Sequence, residues 1–300
     1  MDVVYTFVAS NDEKWQKKYE KYKGISFISE NYNPRYNYCG EIIASLLFLQ
    51  KNVINIRKIF IVSDEQKLDI NFLSKDFQNK IRFIDHKKII PSNYLPTFNS
   101  NVIEIFLWKI PHLSQYFMYL NDDVFINKKI NLEKIKDKTY GSIYNVNFND
   151  NFTKSSYSLV NARYFFFKYY PNKNFYVNRK HIPFILNKNI CRFVFNKMNK
   201  ELLKICKYKF RKYEINKSVR FMSIVNSVSI LNGYQKIIPY PNNISIQKSL
   251  NTELDYSNYV YINMNSLSEK EIDNFCVILK KCGINLNVLE EKINSVKYIV

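Results

Sequence analysis

The chain has 300 residues, 46% of them hydrophobic and 24% charged, which is enough to bury a core and excludes a wholly disordered protein. Its 45 Lys and Arg exceed 26 Asp and Glu, giving a formal charge of +19, and such a field attracts something anionic: nucleic acid, a nucleotide, a phosphorylated polymer or an acidic lipid surface. The longest apolar run, residues 42–49, is far shorter than the roughly twenty residues of a membrane-spanning helix, so no span is expected.

Residues 2–8 are apolar and β-branched, as a buried parallel strand would be, and no signal peptide is read in a start of this kind. Asn11-Asp12 then offers an N-cap, with Trp15, Tyr19 and Tyr22 on one helical stripe. A second helix is expected over residues 40–50 and strands over 58–62, 81–84 and 116–120, with a further helix over 102–108. This alternation predicts an α/β fold built on a largely parallel twisted sheet. Residues 130–175 read as an irregular, loop-heavy insertion and residues 181–230 as mainly helical. A closing strand is expected over 259–263 and an amphipathic helix over 268–281. With no repeat and no Gly-, Ser- or Pro-rich linker, residues 1–300 read as one domain, an α/β half over 1–130 and an insertion, helical region and closing strand over 131–300.

The strand ends carry polar residues. One strand runs into Ser63-Asp64, another into Asp85-His86, and a third into Asn121-Asp122-Asp123. Ligands of open α/β sheets bind outside the carboxyl ends of the strands, although Asp and Asn also favour turns and caps. Adjacent carboxylates such as Asp122 and Asp123 can hold a hard divalent cation that grips a diphosphate; an exposed turn is the plain alternative. Phe98-Asn99-Ser100-Asn101 precedes a helix and suits either anion or sugar recognition, or a cap built from Ser100 or Asn101. His181, read as lying just ahead of a helix, is either a general base or acid or a structural histidine; His86 and His112 sit at element boundaries. Arg211 lies in the basic run 204–217, which is either a solvated face or a guanidinium clamp for phosphate. The five cysteines, Cys39, Cys191, Cys206, Cys276 and Cys282, form no CxxC pair and have no histidine at zinc spacing, so they read as small buried hydrophobes in a reducing compartment. Walker, GxGxxG, GxSxG and HExxH patterns are missing. Aromatic residues are spread through the strand and helix patterns rather than set as a stacking platform among basic ones, which argues against a nucleic-acid-binding module.

Taken together, several segments resemble the Stealth family of capsule sugar-phosphate transferases. They are residues 2–8 with Asn11-Asp12 and Trp15, then Gly40-Glu41, residues 56–64 and 95–101, Ile103-Glu104, Ile110-Pro111 and residues 119–124. His181-Ile182-Pro183 and Phe210-Arg211 are similar to the third signature region, and Tyr261-Ile262-Asn263 to the fourth. The chain departs from the usual pattern at Phe7, Ala9-Ser10, Ile43, Leu47 and Met264. The resemblance implies a Rossmann-like core with an additional helical part, the 1–130 half binding the donor. It also implies transfer of hexose 1-phosphate from a nucleotide sugar to a saccharide hydroxyl, with Mg²⁺ or Mn²⁺. On that footing His181, Arg211 and Asp64 are the expected catalytic residues. Asp2, Glu41, Asn99, Asn101 and Asn121 are the expected donor contacts, and Asp122, Asp123 and Asn263 the expected metal ligands. The expected partners are the donor and a saccharide acceptor, without nucleic acid, at a cytoplasmic location that includes the inner face of the membrane. An ordinary metal-dependent glycosyltransferase is the enzymatic alternative.

Overall fold

A computed structural model describes residues 1–27, 40–145, 157–173, 175–178, 181–246, 255–264 and 269–284. Strand β1 (Asp2–Thr6) is buried over nearly its whole length. Helix α1 (Glu13–Lys23) begins where the Asp12 carboxylate accepts the Trp15 amide at 2.7 Å, and it ends at Gly24, whose φ of 76° suits a residue without Cβ. Trp15 and Tyr19 are buried as the stripe predicts, but Tyr22 is 45% exposed. Phe27 explains the difference: past the Gly24 turn it returns to pack edge-on against Trp15 and Tyr19, with ring centroids at 5.5 and 5.4 Å. Asp12→Ala should cost about 1 kcal/mol, read as a lower midpoint in urea unfolding.

Helix α2 (Glu41–Asn52) is buried on most sides, which is why its sequence shows no polar stripe. There follow β2 (Val53–Ile54), β3 (Ile59–Ser63), α3 (Lys75–Gln78), β4 (Ile81–Asp85), α4 (Ser100–Phe106) and β5 (Tyr116–Asn121). The cap of α4 is Asn99, whose side chain accepts the Asn101 amide, and neither Ser100 nor Asn101 takes that place. Beyond β5 come β6 (Val124–Ile126), β7 (Ile130–Asn131), β8 (Lys138–Tyr140), β9 (Ser142–Asn145), α5 (Tyr157–Tyr169) and β10 (Phe175–Asn178). The expected irregular insertion therefore holds short strands and a helix. In α5 the aromatic run blurs the helical period, since Phe165 and Phe166 are buried while Tyr164 is exposed.

The rest of the chain gives β11 (Phe184–Asn187), α6 (Lys188–Lys197), α7 (Asn199–Cys206), α8 (Phe221–Leu231), β12 (Lys236–Ile238), β13 (Asn243–Ile246), β14 (Tyr261–Met264) and α9 (Glu269–Lys281). His181 thus precedes a strand rather than a helix. The run Phe184-Ile185-Leu186 is buried on both faces, and an apolar run this short has no period that tells strand from helix. Asn187 then caps α6 by accepting the Asn189 and Ile190 amides. Cys191 and Cys206 are buried as expected, whereas Cys276 and Cys282 are only half-buried; Cys39 lies outside the described residues. Among the described residues no helix is long and apolar enough to cross a membrane.

The main sheet has the order β11-β5-β1-β3-β4 and is mainly parallel, with β11 antiparallel to β5. The chain moves outward from β1 to β3 and β4, then reverses to β5 on the other side of β1. That reversal is the topological switch point of an α/β sheet, the usual place for a ligand. Two compact units divide the chain. One comprises Met1–Val4, Ile84–Tyr119 and Glu133–Tyr240; the other comprises Tyr5–Phe83, Leu120–Leu132 and Pro241–Val300.

Candidate active site

The second unit holds an acidic group at the carboxyl ends of β1, β3 and β5. Asp122 and Asp123 form the two-residue turn between β5 and β6. Their position is fixed from α2: the Ser45 hydroxyl donates to the Val124 carbonyl at 2.7 Å and lies 2.9 Å from the Tyr5 hydroxyl, while the Asn52 amide donates to the Ile126 carbonyl at 2.8 Å. Glu41 opens the same helix and is buried, after Gly40 in the left-handed region at φ 82°. Asp122 keeps partial surface exposure, yet its carboxyl is closely surrounded by protein. Burial first, then the charges of Asp123 and Glu41, hold it well above the usual carboxylate range. Burial likewise pushes the nearby Tyr5 hydroxyl up.

Asp64 follows β3, also buried, and accepts a 2.8 Å hydrogen bond from the Lys18 ammonium, which lies 3.5 Å from Glu65 as well. Burial works against the charge on Lys18, but its bonds and attraction to Asp64 prevail and raise its proton affinity. Asn121 is the last residue of β5 and half-buried. Asn263 stands on β14 in register with Val124, the residue after Asp123. Among the described residues no three His, Cys, Asp or Glu side chains are gathered as a metal-binding group.

The first unit holds a cluster of mixed charge organised by α4. Asn99 is fully buried and its side-chain amide donates to the Tyr208 carbonyl at 3.2 Å. The Phe98 amide donates to the Lys209 carbonyl at 2.8 Å, and the Phe98 and Phe210 rings stack at 5.0 Å. These contacts seat the basic segment against the start of α4. Asn101, also buried, is held from two sides: its oxygen accepts Arg211 Nε at 2.8 Å, and its nitrogen donates to the Val219 carbonyl at 2.8 Å. Glu104 lies one helical turn farther along, on the same face as Asn101. It accepts the Tyr119 hydroxyl at 3.3 Å. Burial raises the proton affinity of Glu104, against the opposing pull of Arg211, Arg220, the Tyr119 bond and His181, in that order. His181 itself is half-buried, three residues before β11, whose first residue pairs with Tyr119. Asp2 belongs to this unit and is fully buried in a reciprocal pair: its carboxylate accepts the Ser114 amide at 2.7 Å, while its own amide donates to the Ser114 hydroxyl at 3.0 Å.

The structure therefore brings together Glu41, Asp122 and Asp123 in one group, and His181, Arg211 and Asn101 in another. Asn99, Asn101 and Asp2 are interior residues whose polar atoms bind neighbouring chain. Two charged members of the second group, Glu104 and Arg220, escaped sequence reasoning as site residues. The three-residue spacing of Asn101 and Glu104 on one helix was the available signal for the first. A single arginine ahead of the apolar run of α8 gave none for the second.

Comparison with known proteins bears on this arrangement. The stretch of residues 35–143 matches the family described as Stealth protein CR2, conserved region 2. It contains Glu41, Asp64, Asn99, Asn101, Glu104 and Asn121-Asp122-Asp123, and it ends before His181 and Arg211. The chain is similar to the capsular polysaccharide phosphotransferase fcs1 of Haemophilus influenzae, 43% identical over 136 residues, or 43% of this chain and 36% of that protein. The capsular polysaccharide phosphotransferase LcbA of Aeromonas hydrophila is also 43% identical over 136 residues, with the same shares of 43% and 36%. Each match thus spans well under half of the relative's length. Among solved structures, the galactosyltransferase LgtC with donor and acceptor sugar analogues aligns at a TM-score of 0.47 and 10% identity, covering 94% of this chain and 95% of that one.

Proposed function

We propose that the protein transfers hexose 1-phosphate from a nucleotide sugar to a saccharide hydroxyl, forming a phosphodiester in capsule or surface polysaccharide. The observation that carries this reading is the cluster of Arg211, His181 and Glu104 around α4, a guanidinium and an imidazole within electrostatic reach of one half-buried carboxyl. The family match over residues 35–143 and the names of the relatives, similar over 136 residues, support the same class of reaction.

In this mechanism His181 accepts the proton of the acceptor hydroxyl. The freed oxygen attacks the sugar-proximal phosphorus and forms a new O–P bond, while the bond from that phosphorus to the bridging oxygen of the diphosphate breaks. The sugar keeps one phosphate, and the nucleotide leaves as a monophosphate. Arg211, aimed by Asn101, donates to the phosphoryl oxygens as charge develops on them. Asn99 and Asn101 serve donor recognition through Arg211, and Asp2 serves it by fixing the start of β1. Asp64, at the end of β3, is kept with the catalytic residues, and Glu41, at the start of α2, and Asn121, at the end of β5, are assigned to donor contacts.

A hard divalent cation, Mg²⁺ or Mn²⁺, fits the acidic group. The carboxyl of Asp122 is crowded by like charges, which a cation would relieve. Asp122 and Asp123 would hold it, with Asn263 on the adjacent strand. Mg²⁺ is commonly bound by one or two carboxylates and completed by substrate phosphates and water, so a full protein cage is not required. When bound, the ion would neutralise charge on the oxygens of the donor's diphosphate and of the departing nucleoside monophosphate. The formal charge of +19 suits a polyanionic product and a cytoplasmic setting at the inner face of the membrane.

The deciding experiment identifies the released nucleotide. With the proper donor, UMP or GMP should appear by ion-exchange chromatography, and phosphorus NMR should show a phosphodiester in the product. Release of UDP or GDP with a phosphorus-free product means attack at the anomeric carbon and an ordinary glycosyltransferase.

A further inference from the structure

Arg211 is not alone on α4. Asn101 binds Arg211 Nε through its oxygen and the Val219 carbonyl through its nitrogen, both at 2.8 Å, so one buried amide positions Arg211 and the backbone directly before Arg220. Glu104, one turn on, interacts with both guanidinium groups and with His181. Arg220 opens α8, which packs on α4, and it is half-buried, so part of it reaches solvent. It is also close enough to the buried Tyr176 hydroxyl to act on it electrostatically. Two guanidinium groups against one carboxyl give the cluster a net positive charge. Forked donors of this kind match the oxygens of a phosphate group in number and plane.

We infer that Arg220 is a second arginine of the phosphate site, set beside Arg211 by the shared Asn101 bridge, with Glu104 as the positioning residue that holds both guanidinium groups in register. This rests on the phosphoryl-transfer reading above, but it concerns anion binding and not the outcome of the reaction. A lone Arg211 could neutralise one edge of a phosphate; the pair could grip two edges and leave the third oxygen toward the attacking hydroxyl. Glu104 then has an electrostatic purpose, because a carboxyl within reach of both arginines offsets part of their repulsion when no anion is bound.

The test uses the full chain and inorganic pyrophosphate as probe, in excess chelator so that no divalent cation takes part, with binding read by isothermal titration calorimetry. Arg220→Gln should weaken pyrophosphate binding by about tenfold or more, with an unchanged circular dichroism spectrum. Arg220→Lys keeps the charge without the fork and should fall between the two. Glu104→Gln keeps the size of the side chain and a partner for Tyr119, and it should weaken binding because the arginines lose their register. Wild-type affinity in Arg220→Gln overturns the inference; if that variant does not fold, wild-type affinity in Arg220→Lys does so. Tighter binding in Glu104→Gln overturns the positioning role, since it would mean that the carboxyl only competes with the anion. A protein that releases UDP or GDP yet loses pyrophosphate binding in Arg220→Gln would refute the transfer reading and leave the arginine pair standing.

Discussion

His181→Ala should slow turnover by roughly 10²–10⁴-fold, the usual worth of a positioned proton acceptor. The side chain is half-buried, in a segment that leads into β11, and it lies within electrostatic reach of Glu104. Because β11 is anchored by its own register with β5, from Phe184 opposite Tyr119 to Asn187 opposite Tyr116, removing the imidazole should leave the strand in place. Steady-state rates at saturating donor, with matched circular dichroism spectra, measure the effect. Donor KM should change little, since the proposed base acts on the acceptor hydroxyl. Turnover equal to wild type would remove His181 from the mechanism.

Asp122→Asn should lower activity severely and stabilise the fold in the same stroke. The carboxyl of Asp122 is held well above its ordinary range by burial and by Asp123 and Glu41. A carboxyl raised in this way favours the folded state while protonated. That contribution is fully present below the unfolded value, near the ordinary range of aspartate, and is lost as pH rises through the folded value. Above the ordinary aspartate range the wild type therefore bears a folding cost, from confining this carboxyl among Asp123 and Glu41, that the asparagine variant lacks. The variant should gain on the order of 1 kcal/mol, a few degrees in Tm, and the gain should shrink as pH falls toward the ordinary aspartate range. Added Mg²⁺ or Mn²⁺ should raise the wild-type Tm and leave that of Asp122→Asn nearly unchanged, while chelation abolishes wild-type activity. An equal thermal response to cation in both proteins would refute the metal assignment. Residues kept for chemistry at the expense of stability are common at active sites.

Much of this was legible from residue order. The apolar runs ending in Asp64 and in Asn121-Asp122-Asp123 announced their strands because β3 and β5 are buried along their lengths, and buried parallel strands show continuous apolar stretches. The α1 cap was equally plain, since Asp12 binds an amide only three residues on. What escaped depended on long-range contacts. Phe27 displaces Tyr22 from the α1 stripe only because the chain reverses at Gly24. β11 was hidden because an apolar run as short as Phe184-Ile185-Leu186 has no period. Glu104 and Arg220 stand 116 positions apart in the chain, and only the packing of α8 on α4 makes them neighbours. Asn99 and Asn101 carried the right signal with the wrong reach: they were expected to touch a ligand, and they are buried holding the segment that carries Arg211.

The division of the chain has a consequence for how the protein is made. The backbone passes from one unit to the other five times, after Val4, Phe83, Tyr119, Leu132 and Tyr240. Neither half can be excised as one uninterrupted gene segment. During synthesis the first unit has all of its chain only when Tyr240 has left the ribosome, although its opening residues Met1–Val4 are made first. The acidic residues after β5 are synthesised well before Arg211 and Arg220. A nascent chain stalled near residue 132 would hold Glu41, Asp64 and Asp122 but neither Arg211 nor Arg220, so the acidic group exists before the arginine pair does.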